Sequence, residues 1–229
     1  MIKFKPADIN VKEARQEFEE FKQKINSKVD LKERDDILSH LKKTKHLPLL
    51  IPAFYFLKQS WNQYALEKPI SGAFRPDLVI GSSEKKQYLL IEFENAQENS
   101  IFKKDDDRNY KAWGTRLEGA ISQITDWIWK LSELSEYDRT HFFDVDNIDN
   151  LKYEVVIIIG RKSYLNREDK RRINWREEHT KIYSKNISII TYDEVLDLMD
   201  GFIQTLEEIE QYKEFKKQQL KTATKKSKK

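Results

Sequence analysis

Asp77, Glu92 and Glu94 are the residues whose types and spacing could do chemistry in this chain. Asp77 leads an apolar run, Leu78-Val79-Ile80-Gly81, and the two glutamates close a second, Tyr88-Leu89-Leu90-Ile91-Glu92-Phe93-Glu94. A polar turn of Ser, Glu and Lys lies between, so the stretch from Phe74 to Glu94 reads as a β-hairpin. Successive strand residues point to opposite faces, which groups Tyr88, Leu90, Glu92 and Glu94 against Leu89, Ile91 and Phe93. A hairpin that folds back closely brings Asp77 to Glu92 and Glu94, so that three carboxylates converge at one end of a sheet. Two unit charges ~4 Å apart repel by about 4 kcal/mol at an effective dielectric of 20. Such a cluster calls for protonation or a cation, and hard divalent metals prefer oxygen ligands of this kind.

The elements that must position these acids follow from hydrophobic spacing. Residues 11–27 form a charged helix with Ala14, Phe18, Phe21 and Ile25 on one stripe, and Asp30 is placed to cap a second helix from Leu31 to about Lys43. Leu49 to Trp61 is apolar and broken by Pro52; residues 61–72 are open between a strand and an irregular approach to the hairpin. Asn95 to Arg116 reads as a solvated loop, because its Asp105-Asp106-Asp107 triplet lacks the glycine and downstream glutamate of a calcium loop. Leu117, Ala120, Ile121, Ile124, Ile128 and Leu131 mark one face of a helix from Thr115 to Leu134, with Arg116, Gln123 and Trp127 on its border.

Glu154 to Gly160 is a continuous β-branched run, the pattern of a central strand covered on both faces. Arg161 and Lys162 follow it, and a basic helix over 166–179 carries Arg167, Lys170, Arg171, Arg172 and Arg176. These seven cations are candidates for phosphate contacts, since Lys and Arg dominate nucleic-acid affinity. The alternative is a solvated face with Glu168–Arg172 pairing at helical spacing. Ile187 to Ile190 reads as a strand, and Thr191-Tyr192-Asp193-Glu194 as a capping box opening the last helix. The sum is an α/β fold: a mixed β-sheet flanked by helices, with further helices at the N-terminus. The division expected is an N-terminal helical segment 1–60, a core 61–212 and a disordered lysine-rich tail 213–229.

Composition narrows the classes. With 229 residues, 38% hydrophobic and 12% aromatic, the chain can build one ordinary core. It has no cysteine, which excludes a disulfide framework and a thiolate zinc site and suits a reducing cytoplasm. The first residues lack the apolar core of a signal peptide, and the longest apolar stretch, Leu47 to Leu57, is too short to span a bilayer. The net charge of +3 is uneven: Lys213 to Lys229 carries +7, leaving −4 for the rest. Overall charge is therefore poor support for nucleic-acid binding, and function has to be argued from sites. None of His40, His46, His141 and His179 has a partner at metal or triad spacing.

The acidic stretch resembles the PD-(D/E)xK nuclease motif: Pro76-Asp77, then Glu92-Phe93-Glu94 after fourteen residues. Glu94 stands where a lysine is usual. Gln123 and Trp127 resemble the Gln-x-x-x-Tyr element that follows the motif in several such nucleases, with Trp in place of Tyr. A longer series is similar to the C-terminal nuclease domain of Shedu anti-phage defence proteins. It comprises Phe74-Arg75-Pro76-Asp77, Ile91-Glu92-Phe93-Glu94-Asn95, the helix Leu117 to Trp127, Val156 to Arg161 and Ile190 to Val195.

That resemblance, running roughly from Lys32 to Met199, implies a restriction-endonuclease-like core. It also implies a metal-dependent DNA endonuclease acting against phage. Asp77, Glu92 and the backbone carbonyl of Phe93 would hold Mg²⁺ or Mn²⁺, which polarises the scissile phosphate and activates water. Glu94 would act as an extra ligand or general base, and Gln123 would orient water or a phosphate oxygen. DNA is the expected partner ahead of RNA, a membrane is not, and related proteins suggest self-assembly. An activating partner is implied without being identified. The competing reading is a non-hydrolysing DNA-binding or regulatory module on the same fold.

Overall fold

In the computed structural model, residues 2–6, 8–28, 30–55, 61–72, 74–104 and 110–226 are described. The Asp105-Asp106-Asp107 triplet lies outside them. The centre is the parallel pair β4 (Gln87–Phe93) and β7 (Lys152–Ile158), in register Leu90 to Val155 and Glu92 to Ile157. On one side, β4 pairs antiparallel with β3 (Leu78–Ser82), then β2 (Gln63–Leu66) and β1 (Lys5–Pro6). On the other, β7 pairs parallel with β9 (Lys185–Ile190), which is edged by β8 (Lys181–Ile182). A small separate hairpin, β5 (Phe102–Lys103) and β6 (Ala112–Trp113), stands where a featureless loop was expected. The open segment before the hairpin holds β2.

Strand alternation explains the layers. Leu78, Ile80, Leu89, Ile91, Phe93, Val156 and Ile158 face one side, where α1 (Val11–Ser27), α3 (Leu47–Leu50) and α7 (Tyr192–Lys226) pack. Val79, Tyr88, Leu90, Val155, Ile157 and Ile159 face the other, under α4 (Thr115–Glu133), α5 (Glu136–Phe143) and α6 (Arg167–His179). Both faces of β4 and β7 are covered, hence their unbroken apolar runs. Each fully buried Leu or Ile contributes about 1.5–3 kcal/mol relative to exposure. This is the mixed, helix-flanked α/β architecture expected, with the restriction-endonuclease-like arrangement.

The N-terminal helices are part of this core. Arg15 on α1 clamps α7 through Asp200 at 2.6 Å and Glu207 at 2.9 Å. The segment after α1 departs from the expected single helix. A π-helical turn, Glu33–Leu38, runs into the short α2 (Ser39–Leu41). Asp36 rather than Asp30 secures its start, accepting from the Lys32 N–H at 2.9 Å and Lys28 Nζ at 2.6 Å. The last helix also exceeds expectation. The Thr191–Glu194 capping box opens α7, which continues to Lys226, so residues 213–226 extend a helix instead of beginning a disordered tail.

Candidate functional site

Register brings the acids together. Leu78 opposite Ile91 is the last β3–β4 pair, so the next residues out are Asp77 and Glu92. Asp77 Oδ2 accepts a hydrogen bond from the Phe93 N–H at 2.9 Å, which fixes its carboxylate against the end of β4. Beyond β4, the Glu94 N–H donates to Ile158 C=O at 2.9 Å and the Tyr192 hydroxyl donates to Glu94 C=O at 2.7 Å. The strand end is thus held from β7 and from α7. Asp77, Glu92 and Glu94 are 9%, 4% and 3% exposed.

Asp77 and Glu92 open into a cavity of about 400 Å³ walled by Glu33, Arg34, Glu67, Arg75, Gln123 and Trp127. Glu94 lies outside that lining, on the side of Arg116, whose Nη1 is 3.7 Å from Glu94 Oε2. The expected convergence of three carboxylates is therefore an adjacent pair, Asp77 and Glu92, with Glu94 turned toward a cation. Among the described residues no three His, Cys, Asp or Glu side chains form a ready-made metal group. The reason is the strand end itself. Glu94 follows the last residue of β4, where the Ile158 and Tyr192 contacts hold its backbone and Arg116 faces its carboxylate.

Electrostatics at the pair are unbalanced. Burial raises the pKa of Asp77, opposed by the Phe93 N–H bond and reinforced by the charge of Glu33. Glu92 is raised further, first by burial and then by the charges of Asp77, Glu33 and Glu94. Burial and Glu33 lift Glu94 to about 7 against the pull of Arg116. Glu94 Oε2 has no hydrogen-bond partner. An acid pair in this position holds a proton or a cation, because two carboxylates cannot both ionise there unaided. Two carboxylate ligands beside a cavity open to water fit a hard divalent ion that keeps part of its water shell.

The remaining candidates divide. Gln123 is exposed and lines the cavity, while Trp127, 2% exposed, is a core residue of α4 that forms part of the cavity floor. Phe93 touches Asp77 through its N–H, and its side chain is buried in the α1–α7 layer. Arg161 is committed to the fold: it forks onto Asp193 at 2.8–3.1 Å and donates to Ile25 C=O at 2.6 Å. It sits there because Gly160, at φ +67, turns the chain sharply out of β7. Arg172 donates to Lys111 C=O at 2.7 Å and lies over the Phe102 and Trp113 rings. Arg176 pairs with Glu118 over the same Trp113. Lys162, Arg167, Lys170 and Arg171 are exposed.

Sequence reasoning missed Glu33, Arg34, Glu67 and Arg75. Glu33 arrives because its N–H donates to Asn95 Oδ1 at 2.9 Å and the Ala96 N–H donates to Leu31 C=O at 3.1 Å, stitching the π-turn to the strand end. Glu67, at φ +48, is held by Lys42 and by Arg75 at 3.9 Å. No local pattern marks these residues; their only signal is a charge beside an apolar segment, which most surface residues share.

A mixed sheet between two helical layers, with a buried acid pair opening at the edge of its antiparallel hairpin, defines a restriction-endonuclease-like α/β protein with an acidic cleft. Residues 30–196 match the family model described as Shedu protein SduA, C-terminal, and the chain belongs to that family. Membership links it to anti-phage defence. The match contains the acid pair, Glu33, Arg116, Gln123 and all of α6. No curated protein shows a significant match. Among the described residues no helix is long and apolar enough to cross a membrane.

Proposed function

We propose that the chain is a metal-dependent endonuclease that hydrolyses DNA phosphodiesters in anti-phage defence. The observation that carries this reading is the Asp77–Glu92 pair, buried, adjacent and facing a cavity of about 400 Å³. Asp77 and Glu92 would hold Mg²⁺ or Mn²⁺, with the Phe93 carbonyl and water completing the shell. When bound, the ion supplies Lewis-acid polarisation of the phosphate and a lowered pKa for water. The chain's own groups do the rest. The Phe93 N–H orients Asp77 through its Oδ2. Exposed Arg34 and Arg75 at the rim attract the phosphate backbone. Gln123 donates to water or a phosphate oxygen.

Arg116 supplies the positive charge that the glutamate at position 94 cannot. It is 53% exposed at its side chain, so it can swing from Glu94 to a phosphate. Arg116 favours the ionised form of Glu94, and as the guanidinium moves to the phosphate the Glu94 carboxylate becomes the stronger base, able to take a proton from the attacking water. A concentration of raised-pKa carboxylates in a cleft supports a chemical role over a structural one.

The test is incubation of supercoiled plasmid with purified protein and Mg²⁺ or Mn²⁺, comparing wild type with Asp77→Ala and Glu92→Ala. Loss of nicking in both variants is the expected result. Cutting that survives both substitutions removes the site, and wild-type binding without cutting points instead to a non-hydrolysing DNA-binding module. A parallel RNA substrate decides between the two nucleic acids.

A further inference from the structure

A second concavity, of about 900 Å³, lies between the β5–β6 hairpin and α6. Its wall on α6 carries a stripe at i, i+4 spacing, Arg167, Arg171 and Trp175, and His179 continues the stripe beyond the groove. Trp175 is 62% exposed, and one face of its indole is covered by His179, ring centroids 4.6 Å apart and 10° from parallel. The opposite wall is Trp113. It is fixed by stacking on Phe102 at 4.6 Å and by the guanidinium groups of Arg172 and Arg176 at 4.9 and 4.6 Å. Those two arginines are held in turn by Lys111 C=O and Glu118, so the wall is rigid before anything binds.

We propose that this groove binds single-stranded DNA, with a base stacked on Trp175 and flanking phosphates on Arg167 and Arg171. Charge decides against a duplex. Glu168 and Glu178 also line the groove, so phosphate neutralisation alone is too weak to hold a double helix there. Stacking does not suffer from the two acids, and it requires a base whose face is free, which paired DNA does not offer. The groove is tied to the acid pair's end of the molecule by α4. One turn of that helix carries Arg116, beside Glu94, and Glu118, beside Arg176. The inference deepens the nuclease reading and takes its DNA substrate from it. It assigns the unpaired strand that leaves the cleft a place to rest.

Binding is measured by fluorescence anisotropy of a labelled oligothymidylate and of a hairpin duplex of equal length, at low salt with EDTA so that nothing is cut. Wild type binds the oligothymidylate more tightly than the duplex and its tryptophan emission is quenched. Trp175→Ala weakens that binding about tenfold or more, and Trp175→Phe recovers most of it. Arg171→Ala lowers the steepness of the salt dependence by about one counterion. Equal affinity for duplex, tighter binding of oligouridylate RNA, or unchanged affinity in both Trp175→Ala and Arg171→Ala overturns the proposal. Because this readout needs no metal, a protein that binds this way yet never cuts refutes only the nuclease reading. One that cuts without this binding refutes only the groove.

Discussion

Arg116 Nη1 stands 3.7 Å from Glu94 Oε2, an atom that is buried and has no hydrogen-bond partner. The pair juxtaposes the second glutamate of the Glu92-Phe93-Glu94 strand end and a cation from a separate helix. Separation of that length is an ion pair without a formed hydrogen bond, and one partner is half in solvent. It is therefore loose enough to be exchanged for a phosphate.

If Arg116 supplies the missing charge, Arg116→Ala lowers the rate of DNA cleavage by about 10²-fold, as expected for removing a positioned electrostatic group. Arg116→Lys restores much of the rate, and divalent-ion affinity stays within a few-fold of wild type. Single-turnover cleavage and a metal titration followed by thermal melting separate the two effects.

The acid pair makes the metal-free protein sensitive to alkaline pH. Asp77, Glu92 and Glu94 all have folded pKa values raised above their ordinary ones, so their contribution is full below the ordinary carboxylate range and is lost as pH rises through the folded values. For Glu94 that window runs from 4.5 to about 7. Melting temperature in EDTA accordingly falls from pH 5 to pH 8, measured by scanning calorimetry. Asp77→Asn and Glu92→Gln flatten the slope and stabilise the fold at pH 8 by about 1–3 kcal/mol.

Divalent ions reverse that slope. Binding Mg²⁺ or Mn²⁺ displaces protons from the pair, so it tightens with pH. At an ion concentration about 100 times the dissociation constant the fold gains about 2.7 kcal/mol. The rise in melting temperature on adding Mn²⁺ is larger at pH 8 than at pH 6, and Asp77→Ala abolishes it. Calorimetric titration in buffers of different ionisation enthalpy counts the protons released.

Arg161 is a structural cation. Its forked bond to Asp193 holds that carboxylate's pKa below the usual range despite burial, and its bond to Ile25 C=O ties β7, α7 and α1 together. Arg161→Ala costs about 2–4 kcal/mol in urea denaturation, because Asp193 is left half-buried without its cation. DNA affinity per folded molecule is unchanged, whereas Arg171→Ala shows the opposite pattern.

What the sequence determined by itself is what short-range physics encodes. Hydrophobic period two and 3.6 placed the hairpin, α1, α4, β7, β9 and α6 within a few residues, and the Thr191–Glu194 cap marked the start of α7. Strand alternation and a tight turn also sufficed to bring Asp77 to Glu92, since sixteen residues or fewer separate every group involved. Only the tertiary structure decided the rest. Glu33 reaches the acid pair through Asn95, 62 residues away, and Arg161 is spent on Asp193 and Ile25, 32 and 136 residues away. Glu94 is held by Ile158 and Tyr192 and faces Arg116, outside the lining of the cavity. A charged side chain takes the counter-charge that folding brings within reach, and that choice depends on how distant segments pack, which no local spacing records.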